Sequence, residues 1–444
     1  MLTTPIQAAD NYPLNEGQKA AADRFMQFLF SDDKEMIISG PGGVGKTHLM
    51  GYMIDYTLPR YQKTCELMGI PSEYNSVVMT ATTNKATEEL GKATGRPATT
   101  IYSFMNLKVQ DDYSNGTSKV TKTKQWTVHR NKVIFVDESS MVDTTLRNLI
   151  LEGTYKCKIV YVGDSCQLAP VKELISPIYV ADLPECELLK PMRTKCPHLQ
   201  ALNHTMRERV KTKSFGDIKL VPGIIDWLDG PDMEQAINQN FISNNTEDRV
   251  MAYRNDRVHD FNDHIRSLRG LAGLYTVGEN LVCNTAYQPP MKVGATLLGL
   301  SVETPITVIA AAETTEMIQL ADNVALEVQR LDLRNQYGGI LEDVPVPVDR
   351  EHLKQLLKYY ANQQNWPTYF RIKNEFPDIR PRDACTVHKS QGSTYDTAFI
   401  DLGDIGGCNR PDMVVRMLYV AVSRARSRVV FYGSLPAKYG RLVY

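Results

Sequence analysis

Residues 40–47 read Gly40-Pro41-Gly42-Gly43-Val44-Gly45-Lys46-Thr47, after the apolar run 36–38 and ahead of a helical stretch. The glycines let backbone N–H groups, that of Val44 among them, turn inward around phosphate oxygens. Lys46 supplies a point charge for β- and γ-phosphates, the Thr47 hydroxyl suits Mg²⁺, and a helix starting there adds its positive dipole end. This phosphate-loop pattern, placed between a strand and a helix, predicts a nucleoside triphosphate site. A second group lies where the run 133–136 ends in Asp137-Glu138-Ser139-Ser140. Alone, such an acidic pair at a strand end is more often a solvated helix start. After a phosphate loop it completes a hydrolytic site, with Asp137 beside Thr47 as Mg²⁺ ligand and Glu138 activating the attacking water. Gln167, just past a third apolar run, can hydrogen-bond the γ-phosphate or that water.

The elements that must position these groups alternate. Apolar runs at 76–80, 132–136 and 158–162 are separated by helical stretches, and 14–30 carries Phe25, Phe28 and Leu29 at helical spacing. Such alternation implies a parallel α/β sheet with ligands at its carboxyl edge. Between 104 and 132 the pattern becomes that of a β-hairpin, its turn Tyr113-Ser114-Asn115-Gly116 favouring type I′ geometry. Alternation resumes from 187, with a strand at 249–253 and a helix at 256–268, and returns after 384 with a final helix at 411–424. In between, short β-type runs at 280–283, 295–300, 304–311, 317–320 and 324–329 suggest a small β-barrel, followed by a polar helix at 352–364.

At 444 residues, two or more domains are expected. Lys+Arg 50 against Asp+Glu 51 gives a net charge of −1. Without a global basic field, any nucleic-acid contact needs a local groove. Eight cysteines with no C-x-x-C pair argue against a zinc ribbon or a disulfide framework and for reduced thiols. With no export leader and no long apolar run, the expectation is a cytoplasmic protein (host cytoplasm, if the chain is a phage's) with no membrane partner.

The order of these motifs resembles the superfamily 1 helicases, specifically superfamily 1B, the RecD/Dda type that moves 5′→3′. The matching stretches are the phosphate loop, Asp137-Glu138-Ser139-Ser140-Met141, the segment from Gly163-Asp164 through Gln167 to Pro170, residues 386–394 and residues 418–425; together they span nearly the whole chain. The resemblance implies two RecA-like parallel-sheet domains, at 1–103 with 132–186 and at 187–275 with 381–444. A β-hairpin insertion (104–131) would interrupt the first, and an SH3-like β-barrel insertion (276–380) the second. It implies that Gln18 reads the adenine edge and that Gly392 brings backbone close to the nucleotide. It implies that Arg193 and Arg424 reach the γ-phosphate across the cleft, joining Lys46, Asp137, Glu138 and Gln167 as the catalytic set. DNA would contact Thr82, Asn84, Lys85, Tyr102 and Ser103 in the first domain, and Thr386, His388, Lys389 and Ser390 in the second. Small polar groups hold phosphates without reading sequence, and a ring stacks on any base. Lys122, Lys124 and Trp126 on the hairpin form either a strand-separating pin or a solvated face. The activity implied is ATP hydrolysis with Mg²⁺, driving translocation on single-stranded DNA and unwinding of forked duplex. Its setting would be replication, recombination or repair, with a single-strand-binding protein as the kind of protein partner implied. The competing expectation is an ATP-switched DNA-binding protein, or a protein-displacing translocase that unwinds little.

Overall fold

The strand Glu35–Ser39 is buried along its whole length, with no inside–outside alternation. A strand reads this way when both faces of a parallel sheet are covered. In a computed structural model, which describes residues 13–444 apart from 115–116, 171–172, 193, 245–246, 272, 288–298, 301, 304, 322–323 and 337, that strand sits inside such a sheet. The order is Glu185–Glu187, Glu35–Ser39, Lys158–Gly163, Lys132–Asp137, Ser76–Ala81 and Thr99–Thr100, all parallel. One face packs Phe25, Phe28, Met50 and Phe135, the other Ile37, Ile134, Ile150 and Tyr161.

A second parallel sheet, in the order Ile225–Leu228, Ala425–Tyr432, Tyr395–Asp401, Arg249–Ala252 and Ala384–Thr386, forms the second lobe. Leu199 and Met206 of the helix Pro197–Thr212 meet Tyr419 of Pro411–Val422 on one face. Met233, Phe241 and Ile265, from Gly230–Phe241 and Asn255–Leu268, cover the other. The two-lobed α/β architecture expected from the alternation is therefore present. Among the described residues no helix is long and apolar enough to cross a membrane.

The hairpin in the first lobe pairs Leu107–Asp112 with Thr117–Lys122. The centre of its expected type I′ turn, Asn115 and Gly116, lies outside the described residues. Lys122 and Trp126 belong to the base of the hairpin rather than its tip. Lys122 is ion-paired with Glu152 and lies 4.1 Å over the Trp126 ring, which is itself half-buried against the first-lobe core.

The insertion in the second lobe differs in detail from the small barrel expected. Among the described residues it is an antiparallel sheet in the linear order Ile340–Pro347, Val324–Asn335, Pro305–Ala321, Asn280–Cys283 and Ile379–Pro381. The runs expected at 304–311 and 317–320 are one long strand, because register shifts at Val308/Ala310 and Ala311/Thr315 carry the pairing across the polar stretch between them. The partner strand Val324–Asn335 is buried on both faces. Leu331 and Leu333 point into a cluster with Leu281 and Val344. Leu326 and Val328, of opposite parity on the same strand, point into another with Leu356, Tyr360 and Ile372. Residues of opposite parity face opposite sides of a strand, so Val324–Asn335 feeds one cluster from each face. The second cluster is capped by two helices, Arg350–Asn362 and Trp366–Glu375, where a single polar helix was expected. Phe370 of this pair meets the hairpin tip, its ring 4.9 Å edge-on from Tyr113, and Asn374 donates to Asp111 at 3.2 Å.

Candidate active site and nucleic-acid path

The phosphate loop joins Glu35–Ser39 to the helix Lys46–Tyr52. Two of its glycines are required by what surrounds them. A Cβ at Gly40 would lie 2.3 Å from the Leu188 carbonyl, and at Gly45, where φ is +81°, 2.6 Å from Gln18 Nε2. Gln18 is fully buried. Its carboxamide donates to the carbonyls of Val44 (3.4 Å) and Gly45 (3.3 Å) and accepts the Asn15 amide at 3.0 Å. Both ends of the amide are thus committed within the protein, in a capping box that braces the loop. Gln18, expected to read an adenine edge, here braces the loop. Lys46 Nζ donates to the carbonyls of Gly40 (2.6 Å) and Pro41 (3.0 Å), folded over its own loop. The chain at 188–192 wraps the outside, with Met192 N–H on the Gly43 carbonyl at 2.7 Å. Arg193 lies outside the described residues.

Asp137 ends its strand, and Glu138 follows in a left-handed conformation (φ +50°) that turns the chain into the 3₁₀ turn Ser139–Met141. Burial, and then the adjacent Glu138 carboxylate, push the Asp137 carboxyl above its usual range, with Lys46 pulling the other way. Two crowded carboxyl groups facing one ammonium are a donor set that a divalent cation suits, with the Thr47 hydroxyl one helical residue beyond Lys46.

The second lobe meets this edge directly. Gln391 Nε2 donates to Ser140 Oγ at 2.9 Å, and a Cβ at Gly392 would lie 3.7 Å from Glu138 Oε1. A cavity of about 110 Å³ is lined by Gly42, Gly43 and Val44 from one lobe and by His204, Arg207 and Ser423 from the other. Ser39 Oγ, Gln167 Oε1 and Gln391 Oε1, all on segments bordering the cleft, are buried with no hydrogen-bond partner among the described residues. Buried polar atoms are rarely left so, and a polar ligand would satisfy them. Arg424 does not cross the cleft in this arrangement. It is buried, donating to the carbonyls of Val420 (3.1 Å) and Ser393 (3.3 Å), because it follows the end of the helix Pro411–Val422, where free carbonyls collect.

Gln167 belongs to a segment that leaves the first lobe and docks on the second. Asp164, fully buried, accepts Arg207 Nε and Nη2 at 3.3 Å and the Tyr419 hydroxyl at 2.6 Å. Arg416 donates to the carbonyls of Ser165 (2.7 Å) and Gln167 (2.6 Å). Cys166 and Leu168 pack inside the second-lobe core. Burial opposes the charge on Arg207, and the Asp164 carboxylate together with Cys166, Glu187 and Tyr419 more than restores it; burial, then the same Asp164 carboxylate, holds the Tyr419 phenol protonated. The sequence reading did not single out Asp164, Arg207, Arg416 or Gln391. Asp164 and Gln391 sit inside the motifs it matched, and Arg416 on the final helix; Arg207 carries no local signal.

Along the expected DNA path, Asn84, Ser103 and His388 are exposed, and Lys85, Tyr102 and Lys389 are half-buried. Tyr102 leans on the first-lobe core, which raises its phenol through burial. Thr82 is buried, its hydroxyl on the Glu138 carbonyl at 3.1 Å. Thr386 and Ser390 are buried too, with Ser390 Oγ donating to the Val387 carbonyl at 2.8 Å. These three hydroxyl side chains, expected to contact DNA, are here buried in the loops they build.

A model of the AAA domain matches residues 13–217, and one of the UvrD-like helicase C-terminal domain matches 383–432. The ATP-dependent DNA helicase dda of Enterobacteria phage T4 is 24% identical over 94% of this chain and 99% of its own length. The uncharacterized protein R530 of Acanthamoeba polyphaga mimivirus is 20% identical over 75% of this chain and 81% of its own. Among solved structures, the Pif1 helicase from Bacteroides in complex with ADP-AlF3 and ssDNA shares the fold, with a TM-score of 0.52 at 13% identity over 96% of this chain and 94% of that one.

Proposed function

We infer that this chain is a superfamily 1B DNA helicase of the Dda type, an ATP hydrolase that moves 5′→3′ on single-stranded DNA and unwinds duplex. The observation that carries this reading is the cleft. A phosphate loop and an Asp137-Glu138 pair on one lobe are met by Gln391, Gly392 and Ser423 of a second parallel-sheet lobe.

In the catalytic cycle, Lys46 exchanges its loop carbonyls for the β- and γ-phosphates. Glu138 takes a proton from the water that attacks the γ-phosphorus, and the bond from that phosphorus to the ADP oxygen breaks. Mg²⁺, held by Thr47 and Asp137, would neutralise phosphate charge when bound. Arg424 leaves the Val420 and Ser393 carbonyls as the lobes close and, with Arg193, turns to the transferring phosphoryl group. Gln167 travels with the second lobe and couples the γ-phosphate to lobe position. The strand lies across both lobes beneath the second insertion, at Asn84, Lys85, Tyr102, Ser103, His388 and Lys389. The hairpin, buttressed by Phe370, parts the duplex ahead, which favours unwinding over translocation alone. The setting is replication, recombination or repair, where a single-strand-binding protein would be a working partner.

Forked duplexes with either a 5′ or a 3′ single-stranded tail, ATP and Mg²⁺ at stated salt test the reading. Unwinding from the 5′ tail is expected. Preference for the 3′ tail overturns the direction, and ATP turnover indifferent to DNA overturns the function.

A further inference from the structure

Three bodies converge on one carboxylate. Glu303, from the insertion, lies 3.1 Å from Lys389 Nζ of the second lobe and lines two cavities together with Lys85 of the first. The first of these cavities is lined by Lys85, Arg249, Arg380, Arg382 and Lys389, and Glu303 is its only carboxylate among the described residues. The second, about 410 Å³, opens from Lys85 along the helix Asn84–Thr94. The position of Glu303 is held by its backbone. Its N–H donates to the Cys283 carbonyl at 2.7 Å, and its φ of +60° is a conformation that side-chain-bearing residues seldom take. Lys389 is positioned independently, donating to the Asn284 backbone carbonyl at 2.7 Å and to the Asn284 side chain. The carboxylate is therefore not needed to place the lysine. It supplies the negative charge beside the two lysines of a basic channel in which Arg380 is already paired with Asp378.

We propose that Glu303 stands where a backbone phosphate of the bound strand would sit between Lys85 and Lys389, so that single-stranded DNA enters by displacing it. This rests on the helicase reading and adds a residue that sets how tightly the channel grips. An occupied channel weakens binding by the charge it has already neutralised, and it returns the lysines to a partner each time a phosphate leaves. Burial lowers the tendency of Lys85 to stay charged, and the Glu303 carboxylate offsets part of that.

The test is nucleotide-free binding of a fluorescent oligo-dT to the full chain by anisotropy, over a series of salt concentrations. E303Q should bind about three- to tenfold tighter than wild type at low salt. Its plot of log affinity against log salt should be steeper by about 0.7, one extra phosphate-neutralising charge on a single strand. E303N carries the same expectation and suits the left-handed backbone, which guards against a strained loop. In a K389A background the gain from E303Q should shrink to within about twofold, since the pair is already broken. Affinity and slope unchanged or lowered in both Glu303 variants would overturn the proposal and leave the helicase reading standing. Failure of the wild-type chain to bind oligo-dT would overturn both.

Discussion

The phosphate loop and the segment 164–168 leave adjacent parallel strands of one sheet, Glu35–Ser39 and Lys158–Gly163, and are held by different bodies. The first stays at home: Gln18 braces it from the preceding helix, and Val44 packs in the first-lobe core. The second is gripped from across the cleft by Arg207, Arg416 and Tyr419, and buries Cys166 and Leu168 in the other lobe. The nucleotide cleft therefore has two walls of common origin and separate allegiance. Any relative movement of the lobes must bend the chain near Gly163 and change the distance from Gln167 to Lys46. A sheet that kept both loops would be a rigid hydrolase; this division turns a change at the phosphate into a change between lobes.

The largest expected effect comes from breaking the far side. R207A leaves Asp164 an uncompensated buried charge, and about 3–5 kcal/mol of stability should be lost in urea melts. Pairing R207M with D164N should recover much of it, because no charge is then left alone; equal losses would show that Arg207 does not hold Asp164. K46A attacks the near side only. DNA-stimulated ATP turnover should fall about 10²–10³-fold, as when one preorganised donor is removed, with the urea midpoint unchanged. A large shift in that midpoint would mean the two walls are not independent. Y419F removes one bond to a charged acceptor, and about 1.5–3 kcal/mol of stability should go with it. The mildest is Y113A at the hairpin tip, an edge-on ring contact worth about 0.5–1.5 kcal/mol. Fork unwinding should slow while single-strand-stimulated ATP turnover holds; an equal fall in both would separate the tip from strand parting.

What was legible in the sequence follows the range of the interaction. The strands at 132–137 and 158–163 are continuous apolar runs, and the phosphate loop is local chemistry, so each could be read from a short window. The helix Pro197–Thr212 could not, since a face carrying His198, Asn203 and His204 hides its apolar stripe. The inward turn of Ser390 and Gln18 could not either, for a hydroxyl or an amide looks the same whether it faces a ligand or a neighbouring carbonyl. Asp164 and Arg207 stand far apart in sequence and on different lobes, so nothing local links them. The two-faced insertion strand was illegible for another reason: it buries Leu331 and Leu333 on one face and Leu326 and Val328 on the other, so no single alternation runs along it.

The contact between Tyr113 and Phe370 has a topological side. The first lobe is joined to the second through 164–168, the second lobe to its insertion through Arg266 and Glu279 at 2.8 Å, and the insertion to the hairpin at this tip. These joints link the four bodies in a circuit, and a strand held on the proposed path inside it would be threaded, like a cord through an eyelet. A molecule with a free end can be fed in; a covalently closed circle can enter only if some joint parts. The closure is this aromatic pair, a few solvent-facing polar contacts at the tip and the bond from Gln336 to Glu88, so those are the contacts that would unclasp.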